Sequence, residues 1–134
     1  MFDVARGIQA LGVSFDVILT SPYARALRTA EILGEVYDSQ KLFETSRLTP
    51  DAAAQKIIDE INENFSQAGE IVLVGHEPGM TRLISTLLTG GDGMAVELKK
   101  AGFCKLSIQK IVFGKCARLN WLLTPKQLAR LGKK

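Results

Sequence analysis

Residues 71–80, with the sequence IVLVGHEPGM, decide the predicted fold of this chain. Four consecutive apolar residues, three of them β-branched, are typical of a strand buried on both faces in the middle of a parallel sheet. Pro78-Gly79 then forces a turn, and the apolar residues that follow recur at helical spacing. The stretch therefore predicts a strand, a turn and a helix in that order.

His76 is the single histidine of the chain and follows directly on the predicted strand. In open α/β sheets, ligands bind outside the carboxyl ends of the strands, so this imidazole is a candidate catalytic or binding group. The alternative is an ordinary surface or hydrogen-bonded structural histidine. The residue types alone leave both roles open.

The composition is that of one globular domain spanning residues 1–134, with 46% hydrophobic residues to form a core. The formal charge of +3 is too small for a dedicated nucleic-acid-binding surface, whereas an acidic small ligand or an acidic protein surface fits it. The 134 residues contain no signal-peptide pattern, lipidation motif or membrane-spanning apolar run. We therefore expect a cytoplasmic protein that binds neither nucleic acid nor membranes.

The two cysteines, Cys104 and Cys116, lie in the two strands of a predicted β-hairpin. Reflecting one strand across the turn at Gly114-Lys115 does not place the sulfurs opposite each other, so we expect free thiols. One histidine and two separated cysteines also cannot supply a zinc site. We predict no metal and no cofactor.

Hydrophobic periodicity and turn signals predict the order helix, strand, helix, helix, strand, helix, hairpin, helix. The first helix ends at Gly12, and a strand at 16–20 leads through Ser21-Pro22, a predicted N-cap and first-turn proline, into the second helix. Thr49-Pro50 and Thr124-Pro125 are predicted to begin two further helices in the same way. Proline after a hydroxyl residue is thus the recurring start signal.

The remaining segments complete the predicted architecture. Residues 38–48 show no period and are predicted to be a connector, while Gly90-Gly91 is predicted to end a helix. Strands at 103–112 and 117–123 form the predicted terminal hairpin. The alternation predicts an α/β three-layer sandwich with a mostly parallel central sheet and a C-terminal antiparallel hairpin.

Residues 21–25, SPYAR, bring a strand end, a helix N-terminus and a cation within one helical turn. A cation in a first turn opposes the helix macrodipole unless an anion lies nearby. Arg25 and the first-turn N–H groups are therefore a candidate phosphate site, with Ser21 as a further candidate phosphate ligand. An exposed arginine paired with a carboxylate is the alternative.

The two strand-to-helix turns that bear Arg25 and His76 are predicted to open on the same carboxyl edge of the sheet. We expect the guanidinium and the imidazole to converge on one cleft, a combination that suggests phosphoryl chemistry. The sequence has no G-x-S-x-G elbow, which disfavours a serine hydrolase. Arg28, one turn further along the helix, is predicted to be solvated.

Five segments at compatible spacing resemble the SixA-type phosphohistidine phosphatases of the histidine phosphatase superfamily, which have the phosphoglycerate-mutase-like fold. The segments are 18–30, 48–50, 72–79, 96–102 and 119–125. The resemblance implies a metal-independent phosphatase that transfers a phosphoryl group to a histidine and then hydrolyses the intermediate. It also implies that Arg25 binds phosphate and that His76 is the second histidine, which hydrogen-bonds the transferring group.

The resemblance further implies that part of the family pattern is missing. In these enzymes the first strand ends in an Arg-His-Gly motif that supplies the nucleophilic histidine, and this sequence has no such motif. Met1 aligns inside the family's first helix, so the chain is expected to be N-terminally truncated and to lack the first strand. We expect the chain to be inactive alone and to have an unpaired strand edge beside residues 71–74, through which it could self-associate.

Two other functions stay open at this point. The chain could be a non-catalytic phospho-ligand-binding module, or a phosphatase or mutase acting on small phosphorylated metabolites, as in other branches of the superfamily. The general acid is unassigned, because Arg28 and Arg47 stand where the family has a glutamine and an acidic residue. The expected partner is a phosphorylated protein, such as a histidine phosphotransfer domain in signalling, or a small phosphorylated molecule.

Overall fold

Within residues 1–133, which the structure describes, the computed structural model of the chain has five α-helices and five β-strands. The helices are α1 (Phe2–Ala10), α2 (Ala24–Val36), α3 (Ala54–Asn64), α4 (Gly79–Thr89) and α5 (Pro125–Gly132). The strands are β1 (Val17–Thr20), β2 (Leu42–Glu44), β3 (Ile71–Val74), β4 (Phe103–Ile108) and β5 (Ala117–Leu123). A 3-10 turn, Ser46–Leu48, lies between β2 and α3.

Three parallel strands of the described chain form one sheet in the order β2-β1-β3, and β4 and β5 form a separate antiparallel hairpin. In the parallel sheet, Ile18 of β1 lies opposite Leu42, and Leu19 of β1 lies opposite Leu73. In the hairpin, Cys104 lies opposite Leu122, and both cysteines are free as predicted. The predicted α/β fold with a parallel sheet and a terminal antiparallel hairpin is confirmed.

Strand β1 separates two apolar layers, because successive side chains of a strand point to opposite faces. Ile18 packs on one face among residues of α1, α2 and α5. Val17 and Leu19 pack on the other face against α3 and α4. Helices therefore cover both faces of the sheet, which gives the predicted three layers.

Helices α1 and α5 pack so closely that their contact requires glycine. A Cβ atom added to Gly7 would lie 1.9 Å from the backbone oxygen of Leu128, and one added to Gly132 would lie 1.9 Å from that of Asp3. Leu128 itself is fully buried between the helices and the sheet. Helices α1 and α5 thus form one closely packed layer on the same face of the sheet.

The start of α5 confirms the prediction made from Thr124-Pro125. The Thr124 hydroxyl accepts the Gln127 N–H at 3.2 Å, and the Gln127 side chain accepts the Thr124 N–H at 3.0 Å. This reciprocal pair is a capping box with proline in the first turn.

The other two predicted helix starts are wrong. Helix α2 begins at Ala24 rather than at Ser21-Pro22, because the Ser21 hydroxyl accepts the Tyr23 N–H at 3.2 Å and holds a turn before the helix. Helix α3 begins at Ala54, because the Thr49 hydroxyl donates to the Ser46 carbonyl at 3.0 Å instead of capping the helix. In both places a local turn competes for the side chain.

One prediction for the sheet is also wrong, and two predictions for β3 have opposite outcomes. Residues 38–48 were expected to be a connector, but they contain β2, whose three residues are too few for a period and are ordered by pairing with β1. The apolar run alone predicted β3 in the middle of the sheet, which is wrong. The family resemblance predicted an unpaired edge beside residues 71–74, which is confirmed: β3 lies at the edge, with Val74 buried and Ile71–Leu73 half-buried. The described part of the chain provides no strand on the other side of β3.

No helix among residues 1–133 is both long enough and apolar enough to cross a membrane. Helix α4 ends, as predicted, at Gly90, which has a left-handed backbone with a φ of 89°.

Candidate functional site

The ends of β1 and β3 lie side by side at one edge of the sheet. Thr20 lies opposite Val74, and the Ser21 N–H donates to the Val74 carbonyl at 2.9 Å. Because the two strands are parallel, the residues that follow them emerge next to each other. Ser21 and His76 are brought together in this way although they lie far apart in the sequence.

Gly75 allows β3 to pass close to a neighbouring loop. A Cβ atom at this position would lie 3.3 Å from the Leu48 backbone oxygen and 2.7 Å from the Met80 sulfur. A side chain at this position would therefore require the Met80 side chain to move. The next residue, His76, is consequently the first side chain after β3 that can reach the edge of the sheet.

His76 is held from two sides. Its Nε2 atom lies 2.9 Å from the Ser21 hydroxyl oxygen, and Ser21 is fully buried. The ring of Tyr23 lies 5.2 Å from the imidazole, centroid to centroid, at an angle of 53°. The imidazole is half-buried, so these contacts fix its orientation while leaving part of the ring accessible.

Glu77 follows His76 and stabilises the start of α4. Its carboxylate accepts the N–H of Thr81 at 3.1 Å and also accepts the Thr81 hydroxyl. An acidic side chain at this position complements the helix dipole. The side chain thereby fixes the turn that carries the imidazole.

Arg25 lies in the first turn of α2 and is exposed. Within residues 1–133 its guanidinium makes no ion pair, whereas Arg6 pairs with Asp3 and Arg47 pairs with Glu63. Arg25 and His76 line the same cavity, as does Arg28. Their joint action on one ligand stays a prediction.

This cavity has a volume of about 1490 Å³ and lies between β3 and β4. All four residues of β3 line one side, and all six residues of β4 line the other. Apolar side chains from both helical layers complete it; among them are Ile8, Leu33, Ile61, Leu83 and Leu87. We call this space the strand slot, because two unpaired strand edges and two apolar faces are the surroundings of a central β-strand.

Cations surround the strand slot. Its charged lining comprises Arg25, Arg28, Lys99, Lys100, Lys105 and Lys110 against Glu70 and Glu77. The Gly102 N–H donates to the Lys99 carbonyl at 2.7 Å, and Ala101 has a φ of 63°, so a tight turn holds the two adjacent lysines just before β4. This local field favours an anionic ligand.

These two lysines were not predicted from the sequence as site residues. The signal was present in Lys99-Lys100-Ala101-Gly102, because a glycine closing a four-residue stretch is typical of a β-turn. What the sequence does not indicate is that the turn lies beside the cavity.

Cys104 also lines the strand slot. Burial raises the pKa of its thiol to about 11. The thiol is therefore protonated at neutral pH and does not provide a nucleophile.

The fold defined by this sheet, hairpin and helices is shared with solved structures of SixA. The structure of the protein histidine phosphatase SixA complexed with tungstate matches with a TM-score of 0.78 at 18% identity, over 95% of this chain and 80% of that one. SixA from Agrobacterium tumefaciens matches with a TM-score of 0.72 at 18% identity, over 92% and 77% of the two chains. SixA from Nakamurella multipartitia matches with a TM-score of 0.68 at 19% identity, over 92% and 79%. The chain therefore has the SixA fold, which is phosphoglycerate-mutase-like.

A sequence relative extends the comparison. An uncharacterized protein from Picosynechococcus sp. is 36% identical over 107 residues, which cover 77% of this chain. The chain spans 63% of the length of that relative. No family model matches the chain.

Proposed function

We propose that this chain acts as a metal-independent phosphatase on phosphohistidine or another phosphomonoester when a strand ending in Arg-His-Gly occupies the strand slot. The observation that carries the proposal is the position of the slot. It runs along the whole of β3, and the side chains of His76 and Arg25 line it beyond the carboxyl end of that strand. A strand placed there, parallel to β3, would end beside both residues.

The proposed reaction has two displacements at phosphorus. A histidine nitrogen from the incoming strand forms a bond to phosphorus, while the bond to the leaving group breaks and the leaving group takes its electron pair and a proton. Water then attacks the phosphohistidine, which releases inorganic phosphate and restores the imidazole. Arg25 and His76 donate hydrogen bonds to the phosphoryl oxygens, where charge must be stabilised.

The 134-residue chain has a single histidine and no Arg-His-Gly motif, so we expect negligible phosphatase activity from it alone. The open edge of β3 should make the isolated chain unstable or lead it to self-associate by strand pairing. Both expectations have the same cause, because a strand ending in Arg-His-Gly in the slot would provide the nucleophile and would also pair with β3.

The proposed substrate is a phosphorylated protein or a small phosphorylated molecule. The excess of cations around the slot supports an acidic partner, such as a phosphorylated signalling domain. The two free thiols fit a reducing compartment, and the cytoplasm stays the predicted location.

The decisive experiment compares the 134-residue chain with an extended chain that carries an upstream apolar strand ending in Arg-His-Gly. Both are assayed against a phosphohistidine peptide and an aryl phosphate. We expect turnover from the extended chain and negligible turnover from the short one. Robust turnover by the short chain that is abolished by His76→Ala would overturn the proposal and make His76 the nucleophile.

Oxyanion binding tests the other half of the site without requiring turnover. Tungstate, the ligand of one solved SixA, should bind weakly to the 134-residue chain, measured by calorimetry. Arg25→Ala should abolish most of the binding, whereas Arg28→Ala should change it little. The two arginines lie on the same helix, are both exposed and both line the slot, so they form a matched pair. Equal effects would indicate diffuse surface charge instead of a site.

A second candidate function is a phospho-ligand-binding module without catalysis. It is favoured by the fact that this chain contains cationic residues and an imidazole at the slot but no second histidine. Oxyanion binding combined with inactivity of both the short and the extended chain would support it. A preference for small phosphorylated metabolites over the peptide would instead indicate the phosphatase or mutase alternative.

A further inference from the structure

We propose that Ser21 is a positioning residue that donates its hydroxyl hydrogen to Nε2 of His76 and so holds the neutral ring in the Nδ1–H tautomer. His76 then acts as a hydrogen-bond donor through Nδ1 and not as a nucleophile. This inference deepens the proposed function, since it assigns the imidazole one of two chemically distinct roles in the same site.

Ser21 uses nearly all of its hydrogen-bonding groups within the protein. Its N–H donates to the Val74 carbonyl at 2.9 Å, and its carbonyl accepts the Thr20 hydroxyl at 3.0 Å. Its hydroxyl oxygen accepts the Tyr23 N–H at 3.2 Å. One hydrogen, that of the hydroxyl, is left, and within residues 1–133 the acceptor at hydrogen-bond distance is Nε2 of His76, at 2.9 Å.

Burial decides the direction of this hydrogen bond. Ser21 is 0% exposed, so its hydroxyl hydrogen has no access to bulk water. A buried donor without an acceptor is costly, whereas a hydroxyl oxygen that already accepts one N–H gains less from accepting a second. The hydroxyl therefore donates, and Nε2 accepts.

The direction fixes the proton on the imidazole ring. A neutral imidazole that accepts at Nε2 carries its hydrogen on Nδ1. The lone pair of Nε2 is then engaged by Ser21, and the Nδ1 nitrogen is protonated, so neither nitrogen offers the free lone pair that a nucleophile needs. No residue within 1–133 accepts a hydrogen bond from Nδ1, which leaves this N–H for an acceptor such as a phosphoryl oxygen.

The contacts around Ser21 and His76 keep the two side chains in this arrangement. The backbone of Ser21 is tied across the sheet to Val74, two residues before the histidine, and the Tyr23 ring packs beside the imidazole. Because its hydroxyl hydrogen is donated to His76, Ser21 has no hydrogen left to donate to a phosphate oxygen. In this proposal, therefore, Ser21 acts through His76 rather than as the phosphate ligand predicted from the sequence.

The test uses the single histidine of the 134-residue chain, since selective ¹⁵N labelling of histidine rings then gives one imidazole signal set by NMR. At mildly alkaline pH, where a free imidazole is neutral, we expect a protonated, pyrrole-type Nδ1 and an unprotonated, pyridine-type Nε2. Ser21→Ala should shift the ratio of the two tautomers in favour of the Nε2–H form, which free histidine prefers. Ser21→Thr retains a hydroxyl and should retain the wild-type pattern.

Ser85→Ala is the matched control. Ser85 is also 0% exposed, and its hydroxyl donates to the Gly91 carbonyl at 2.6 Å and accepts the Met94 N–H at 2.9 Å. It is not bonded to His76, so its loss should affect stability while leaving the tautomer unchanged.

In a wild-type chain whose dispersed amide signals show that it is folded, a ring that carries its proton on Nε2, or that shows the tautomer ratio of free histidine, overturns the proposal. Equal changes of the ring in Ser21→Ala and Ser85→Ala overturn it as well, because they would indicate a general structural effect. If Ser21→Ala does not fold, the wild-type and Ser21→Thr signals decide the question. The readout needs no turnover, so it succeeds or fails independently of the proposed phosphatase activity.

Discussion

Strands β1 and β3 are neighbours of the same length, they are parallel, and each leads into a polar residue of the candidate site, Ser21 or His76, at the same edge of the sheet. β3, with the sequence IVLV, is more apolar than β1, with VILT. Yet β1 is buried throughout, whereas Ile71–Leu73 in β3 are half-buried. Within the described chain β1 has a strand on each side and β3 has one on a single side. An apolar strand sequence thus shows that the strand needs to be buried. How far it is actually buried depends on the number of strands beside it.

Amide hydrogen exchange should give the largest difference between the two strands. The Ile18 N–H of β1 donates to the Lys41 carbonyl at 2.9 Å and should exchange only through global unfolding. The Val74 carbonyl points to β1, so alternation along the strand turns the Leu73 N–H toward the slot, where it should exchange with almost no protection. Exchange followed by NMR measures both sites in one experiment.

The extended chain sharpens this prediction. With a strand in the slot, the Leu73 N–H should become as protected as that of Ile18. Strong protection of Leu73 in the 134-residue chain would mean that another segment, or another copy of the chain, already pairs with β3.

Matched truncations should give the next largest effect. Leu19 and Leu73 lie opposite each other in the register, and Leu19 is 1% exposed. Leu19→Ala should lower the free energy of unfolding by about 2–5 kcal/mol, as in other buried leucines. Leu73→Ala should cost less, since part of the Leu73 side chain remains exposed. Urea titration measures both variants, and equal costs would contradict the assigned edge position.

Asp16, the residue before β1, should make a smaller and pH-dependent contribution to the stability of the fold. Its carboxylate accepts the N–H groups of Glu70 at 2.9 Å and Gly69 at 2.7 Å, which lowers the pKa of Asp16 below its ordinary 3.8. Because the pKa of Asp16 is lower in the folded than in the unfolded chain, its carboxylate stabilises the fold fully at pH values above the ordinary pKa. This stabilisation is lost as the pH falls through the lowered pKa.

We therefore expect Asp16→Asn to lower the melting temperature slightly at neutral pH. The gap between the variant and the wild type should narrow as the pH falls below 3.8, which thermal unfolding at several pH values measures. A gap that widens on acidification would contradict the assigned role of the carboxylate.

Thiol labelling should detect the smallest effect, a change of rate without a change of stability. Cys104 lines the slot and has its pKa raised to about 11, so its alkylation at neutral pH should be slow. A strand in the slot should slow it further. Cys116 does not line the slot and serves as the internal reference, with both rates measured by mass spectrometry. A Cys104 rate that is the same in the short and the extended chain would argue against occupation of the slot.

The sequence predicted those parts of the fold that have strong local signals. Thr124-Pro125 marked the start of α5 because proline and a capping threonine act within one turn. The starts of α2 and α3 were misplaced because Ser21 and Thr49 have the same residue types but bond to local turns. Strand β2 was missed because its order comes from pairing with β1 and not from its own three residues.

The candidate site was predictable to the level of strand ends, since turns after parallel strands must emerge at one edge. The contact between Ser21 and His76 was not predictable, because the two residues are 55 positions apart and meet through the register of β1 and β3. The apolar run of β3 alone misplaced the strand in the middle of the sheet, because such a run carries no information on how many neighbours the chain provides; the unpaired edge was predicted from the family resemblance instead.

The close contact of α1 with α5 has a consequence for the order of folding. Gly7 and Leu128 come from opposite ends of the sequence, so the layer that contains Val4, Ala5 and Ile8 stays incomplete until α5 has been synthesised. A contact across nearly the whole chain requires a large loop-closure entropy and forms late. On the ribosome, α1 should therefore remain undocked while the parallel sheet and the α3–α4 layer form, and it should dock when α5 arrives.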